Sequence, residues 1–517
     1  MERRRLMLGG AFGWGVSGLL AGCAASLPPA ARPGAAPRPV DAADLALLNR
    51  VTWGVDSAVL AQWSRGSRRD FLQAQLHPGP VERLPAAAQA QIDAQSSTRQ
   101  PMAAWVLELD QRRRDADATL DDEAKKAAQQ AYQQELNRLA REAAARMLLR
   151  ALYSPSQLQE QLAWFWFNHF NVHQYKGNLR VMVGDYQDRL RRHALGKFSD
   201  LLIASATHPA MIRYLDNEQN AVNRLNENYA REVMELHTLG VDGGYTQKDV
   251  QELARVLTGL GINQSGKTPD LKPALQPLYV ADGLTAFNPA RHDMGDKWVL
   301  GQRVAGRGWE EILQQLGRLA RHPATARHVS RQLATCFAAD QPPPALVDRM
   351  SRAFSGSDGD IAVTLGAMFD APEFAPTLGH KFKDPVHYVV SSVRLAYDGR
   401  TVLNCGPMIG WLNRLGEGLY NRQTPDGYSL VEEDWAGSGQ MSTRFDIARA
   451  IGAGSAGLFR AEGASADAPA FPQLSNAVYH DVLAPTFGER TRVALDGASS
   501  PQEWNALLLS SPEFMYR

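Results

Sequence analysis

The sequence predicts an all-α protein, a large multi-helix globular domain with long irregular loops. Three observations carry that expectation. Apolar residues recur at helical spacing through 225–260, most of Ala103–Tyr153 is strong helix formers, and a helical pattern resumes at Trp309. With 44% hydrophobic and 21% charged residues over 517 positions, the chain has the composition of a folded soluble protein with a sizeable core.

The N-terminus comes first. Arg3, Arg4 and Arg5 precede an apolar, Gly-rich run from Leu6 to Leu20 that closes as Leu20-Ala21-Gly22-Cys23. A charged segment followed by a short apolar run is an export signal, too short for an ordinary spanning helix. Arg3–Met7 resembles the twin-arginine export motif, and five glycines between Gly9 and Gly18 keep the run only mildly hydrophobic. Leu-Ala-Gly-Cys resembles a bacterial lipobox, whose cysteine is acylated and becomes the first residue. Residues 1–22 are therefore expected to be a signal peptide and Cys23 a lipid anchor holding the protein to a membrane of the bacterial envelope, on the periplasmic or cell-surface side. Residues 23–41 follow as a Pro/Ala-rich, semi-rigid tether with five prolines between Pro28 and Pro39.

Residues 42–517 read as a single large helical domain, divisible into halves 42–262 and 305–517 joined by a loop-rich segment. Ala42–Gly79 suggests paired helices, and Ala103–Tyr153 a charged arm packed on the body by its apolar face. In Gln161–His173, a helix would place Leu162, Phe165, Trp166, His169 and His173 on one stripe. His169 and His173, four apart, have a metal-compatible spacing, although the glutamate of a zincin motif is missing. The bland alternative is a pair of satisfied core histidines.

Asn226–Leu260 is the centre of the reading. A helix begun at Leu225 puts Leu225, Tyr229, Val233, Leu236 and Leu239 on one apolar stripe, with Glu232 inside it. Asn228 and Glu235 sit on one shoulder and His237 on the other. Gly240 is expected as a left-handed stop. Thr246 and Asp249 then form a capping box for a second helix, with Val250, Leu253, Ala254, Leu257 and Leu260 on one face and Arg255 on the other. A carboxylate facing a core costs several kcal/mol unless it is paired, hydrogen-bonded, metal-bound or protonated. Glu232 is therefore either a packing device or part of a site.

A second cluster, His292-Asp293 with Lys297, lies in an irregular segment after the expected surface loop Ser265–Pro277. Loops on rigid scaffolds carry function, though a solvated connector has the same look. Leu412–Trp435, with Thr424-Pro425-Asp426-Gly427-Tyr428, is a long loop of the kind that is often functional. With Cys23 acylated, Cys336 and Cys405 remain, either as one disulfide or as two buried thiols.

Several motifs taken together resemble one bacterial family. They are RVTWG around Val51, WFWFNHF, NENYAREVMELHTLGVDGGYTQKDV, VLTGL, RHDMGDKWVLG, FKDPVHYVVSSVRL, TPDGY and SSPEF, in order from about Leu45 to Arg517. The family is that of domain of unknown function 1800. The resemblance implies a secreted, largely helical protein, often with a twin-arginine signal and commonly encoded beside a sulfatase-like protein. It transfers no catalytic role.

Formal charge is zero. Removing Met1–Gly22 takes away three Arg and one Glu and leaves 52 basic and 54 acidic residues, so nothing points to nucleic acid. P-loop, dinucleotide-binding, nucleophile-elbow and CxxC motifs are missing. Two readings stand. In the first, an envelope hydrolase or lyase acts on a polymer or glycan. Glu232 is its raised-pKa acid or base, with Glu235, His237, His292 and Asp293 accompanying it and Asn228, Arg231, Arg255 and Lys297 binding substrate. A divalent-metal form of it would recruit His169 and His173, or His237 or His292, together with a carboxylate. In the second, a non-catalytic lipoprotein binds or matures an exported partner such as the sulfatase-like protein. A redox protein is a distant third.

Overall fold

Local capping starts many of the helices where the sequence supplies a short polar side chain. In the computed structural model, which describes residues 40–80, 84–461 and 471–517, Asp41 accepts from the Asp44 amide at 2.7 Å and opens Ala42–Val51. Thr246 and Asp249 exchange the two bonds of a capping box and open Gln247–Val256, as expected. The imidazole of His208 caps the short helix Pro209–Tyr214 through Nδ1. The expected signal peptide, Cys23 and nearly all of the tether lie outside the described residues.

Helices Ala42–Val51, Ser57–Trp63 and Arg68–Leu76 make a three-helix N-terminal group rather than a simple pair. The charged arm is an antiparallel hairpin of Met102–Ala118 and Asp122–Tyr153, turned at the exposed Leu120. Only the second half of the longer helix is buried, from Leu136 to Leu152. Among the described residues no helix is long and apolar enough to cross a membrane.

Helix dominates the body, so the mainly α class stands. The helical reading missed two small sheets. Strands β1 (Leu260–Ile262), β2 (Val280–Asp282) and β3 (Thr285–Phe287) form an antiparallel sheet in the order β1-β3-β2, with Leu260 and Val280 both opposite Phe287. Strands β4 (Lys297–Val299) and β5 (Gln302–Val304) form a hairpin, turned by Leu300 and Gly301 at φ +52° and +72°. Leu260 is therefore strand and not the end of the preceding helix, which stops at Val256. Strands of three residues are too short for period-two alternation to show against a helical background.

The described residues fall within one compact unit. Its core gathers Trp53, Trp63, Trp166, Phe167, Phe170, Tyr186, Phe198, Tyr229, Tyr388 and Tyr420, all under 2% exposed. Arg50 is buried with them and closes the fold. Its guanidinium donates to the carbonyls of Phe337, Ala338, Thr377 and Arg517 at 2.6–2.9 Å. One side chain thus caps the helix Pro323–Phe337 and clasps the last residue of the chain. Cys336 and Cys405 are both buried and free.

Candidate functional site

Segments far apart in sequence meet around a cavity of about 340 Å³. Its first wall is the end of the helix Gln157–His169. Leu162 to Phe167 are buried around the whole circumference, so this is a core helix and not an amphipathic one. It stops at His169, where Phe170 leaves helical geometry at φ −105°, ψ 51°. His173 is therefore not one turn beyond His169, and the expected metal-compatible pair does not form. The His173 ring instead lies 5.5 Å from that of Tyr175, tilted against it by 57°. Among the described residues no three His, Cys, Asp or Glu side chains are grouped so as to hold a metal.

The second wall comes from the central helix, which is not the continuous α-helix expected from Leu225. It is an α-turn, Asn228–Glu232, followed by a π-turn, Val233–Thr238, in which the Thr238 hydroxyl donates to the Val233 carbonyl at 2.6 Å. The wider turn changes the angular step. Leu236 within it is half-buried on the cavity, while Leu225, ahead of the helix, is exposed, and Glu232, before the π-turn, is half-buried rather than enclosed with Tyr229 and Val233. The turn also presents two carbonyls to imidazoles. His328 Nε2 lies 3.1 Å from the Leu236 oxygen and His169 Nε2 3.2 Å from the His237 oxygen. A ring nitrogen facing a carbonyl must carry the proton, which leaves Nδ1 of each neutral ring as the lone-pair nitrogen. Gly240 ends the element at φ +81°, and a Cβ there would stand 2.9 Å from His328 Nδ1.

These three histidines form a cluster, with His169 6.2 Å from His237 and 6.0 Å from His328 between ring centroids. Burial lowers all three pKa values. His169 also feels His328 and His237, and falls well below the ordinary range. His237, fully enclosed and beside His328, is lowered to about 3, and its Nε2 has no partner among the described residues. For His328, burial is opposed by the bond to Leu236 and reinforced by Arg331. All three rings are neutral at pH 7.

The third wall is the loop from Asp426 to Val431, fastened by Asn168. The Asn168 amide donates to the Tyr428 carbonyl at 2.8 Å and its oxygen accepts from the Tyr428 amide at 2.6 Å. Gly427, at φ +75°, lies so close that a Cβ would stand 2.3 Å from the Asn168 carbonyl oxygen. The helix Pro323–Phe337 completes the cavity with His328, Arg331, Gln332 and Thr335.

The residues expected to share one centre are divided among three surroundings. Glu232 is half-buried, and its pKa is raised by burial, then by Glu235, with Asp426 adding to the effect and Arg231 opposing it. Its electrostatic company is acidic, not imidazole, and only Asp426 of that group lines the cavity. Asn228 bonds the Leu215 carbonyl at 3.3 Å. Arg231 faces Glu227 and Gln247 at 3.3 and 2.8 Å.

His292 and Lys297 occupy a second, sealed cluster around Glu311, all three side chains with no exposure. Lys297 Nζ lies 2.5 Å and His292 Nε2 3.2 Å from Glu311 Oε1, while Glu311 Oε2 accepts the Arg307 amide at 2.5 Å. Burial pushes the Glu311 pKa up, but the bonds from His292 and Lys297 outweigh it and hold it low. Asp293 pairs with Arg255 at 2.7 Å on the rim of this cluster. The knot joins β4 to the helix Trp309–Ala320 and is packing, not an open site.

A third buried cluster surrounds FKDPVH. Asp384 bonds His387 Nδ1 at 2.6 Å, and Lys383 reaches Ser391 at 3.1 Å and the Phe514 ring at 3.7 Å. Glu417 accepts the Val386 amide at 3.0 Å and Trp164 Nε1 at 3.3 Å. Burial and Asp384 raise its pKa well above the usual carboxylate value.

Sequence reasoning missed His328, Arg331, Gln332 and Thr335, because a lone His and Arg on an amphipathic helix carry no motif. It singled out the WFWFNHF motif and the TPDGY loop but had nothing to join them.

Fold and site together define a mainly α protein with a polar, histidine-bearing cavity assembled from its own distant segments. The chain belongs to the family described as Protein of unknown function (DUF1800), which matches residues 46–516. No curated protein and no solved structure matches it.

Proposed function

We propose that this is an exported protein, lipid-anchored at Cys23 in a bacterial envelope after twin-arginine-type export, that acts as a hydrolase or lyase on a polymer such as a glycan. One observation carries the reading. His169, a neutral imidazole with a lone-pair nitrogen, shares the wall of a pocket-sized cavity with the carboxylate of Asp426. A base and a carboxylate facing one cavity are the minimum for general acid–base chemistry. His169 takes the proton of the attacking water, or of the sugar carbon in an elimination, and the leaving glycosidic oxygen takes a proton relayed from Glu232 through Asp426, the one member of that acidic group on the cavity wall. Phe165 and Tyr428 offer apolar faces for a sugar ring. No metal enters this scheme.

A panel of polymeric glycans tests it, reading new reducing ends for hydrolysis and new unsaturated ends for elimination. Wild type should turn over at least one polymer. His169→Gln should lower kcat about 10²-fold or more, and Glu232→Gln should shift the pH profile. Equal turnover by His169→Gln, or none by wild type on any polymer, ends this reading.

A second reading, a non-catalytic lipoprotein that holds an exported partner, is favoured by an apolar groove of about 850 Å³. It lies between the helices Ser438–Gly452, Glu489–Asp496 and Pro501–Ser510, and Phe445, Ala494, Leu507 and Pro512 line it. Co-purification with the sulfatase-like protein, lost in Phe445→Glu, would support it.

A further inference from the structure

The cavity walls are chemically unequal. On the helix Pro323–Phe337, His328, Arg331, Gln332 and Thr335 follow the i, i+3, i+4, i+7 spacing of a single face, and all four line the cavity. Two other exposed arginines near this helix are committed: Arg321 to Asp358 at 2.6 Å and Arg327 to Asp348 at 3.0 Å. Arg331 has no carboxylate within ion-pair distance among the described residues, and the side chains of Gln332 and Thr335 make no hydrogen bond to them. On the facing wall the polar groups are occupied. The Asn168 amide is spent on Tyr428, and Asp426 is held by Arg422 and Thr424.

We propose that this face is an anion subsite, and that the substrate carries a carboxylate or sulfate group that docks on Arg331 with Gln332 and Thr335 beside it. A guanidinium presents a planar fork that matches either group with two parallel bonds. Asp426, on the facing loop, has its charge offset by the pair with Arg422 and offers that group no donor. The polarity of the cavity therefore seats the charged substituent on the helix side and leaves the rest of the molecule near His169. This deepens the proposed function, on which it rests for the view that the ligand is a glycan. Its chemistry is that of a uronate or a sulfated sugar.

Calorimetric titration of the folded protein tests it, with oligogalacturonate, a sulfated oligosaccharide and a neutral cello-oligosaccharide of matched length. At least one anionic oligomer should bind ten-fold or more tighter than the neutral one, and the preference should shrink as salt rises. The stronger of the two names the group. Arg331→Gln, at an exposed position, should keep the melting temperature and lose that preference, while Arg331→Lys keeps part of it. Equal affinity for charged and neutral oligomers, an unchanged preference in Arg331→Gln, or no binding by any oligomer overturns the inference. Turnover of a neutral glycan that needs His169 but not Arg331 would spare the proposed enzyme while removing the anion subsite. Arg331-dependent binding without turnover would do the reverse.

Discussion

Asn168 uses both ends of its carboxamide on the backbone of one residue, Tyr428, and so fixes the loop that closes the cavity. Replacing it by Ala leaves a part-buried amide and carbonyl without partners, at about 1–2 kcal/mol for each lost bond. Asn168→Ala should therefore destabilise the protein by about 2–4 kcal/mol in urea unfolding. A midpoint unchanged from wild type would show that the loop is fastened elsewhere. Gly427 is the complementary device. Its positive φ and its closeness to the Asn168 carbonyl leave no room for a side chain, so Gly427→Ala should displace the loop and weaken oligosaccharide binding even where the body stays folded. Isothermal titration against wild type measures this.

Among the elements, the knot of Lys297, His292 and Glu311 ties a hairpin to a helix through charges with no exposure. Removing one partner strands the other. Lys297→Met should cost about 3–5 kcal/mol, and Lys297→Met/Glu311→Gln should recover part of it because no charge remains unpaired. A double variant no more stable than the single one contradicts this account. Had the cluster been a reaction centre, the variants would cost activity rather than stability. The π-turn is the other informative element. Its carbonyls at 236 and 237 are capped by imidazoles from two other helices, so the distortion is bound up with the site.

Over the whole molecule, buried titratable groups set two opposed pH dependences. His237 has a folded pKa of about 3, against an ordinary value near 6.5. Its neutral form is favoured by folding, so that contribution is complete above about pH 6.5 and is lost as pH falls towards 3. Glu417 is the reverse. Its raised folded pKa gives stability that is present below about pH 4.5 and fades as pH climbs through the folded value. Glu417→Gln should therefore raise the melting temperature at pH 8 and leave it nearly unchanged at pH 4, which scanning calorimetry reads directly. An equal shift at both pH values would show that packing and not ionisation is responsible. Arg50 acts at the same scale. Arg50→Ala uncaps four carbonyls from three distant parts of the chain and should cost about 4 kcal/mol or more, at about 1 kcal/mol or more for each carbonyl left without its donor. A loss under about 1 kcal/mol would mean that water takes its place.

The helical class, the capping box at Thr246, the stop at Gly240 and the polar character of WFWFNHF and TPDGY were all legible in the chain, because they depend on neighbours a few residues away. Which polar residues meet was not. Leu236 left its expected stripe because a π-turn beginning at Val233, invisible to a 3.6-residue period, changed the helical phase beyond Glu232. His169 and His173 separated because the helix ended between them. His328 and Arg331 joined the site from about 160 residues beyond His169. Burial, and with it the shifted pKa of each enclosed imidazole, is a property of the packed interior, and only tertiary structure decides which imidazole loses its water and which guanidinium keeps a free face.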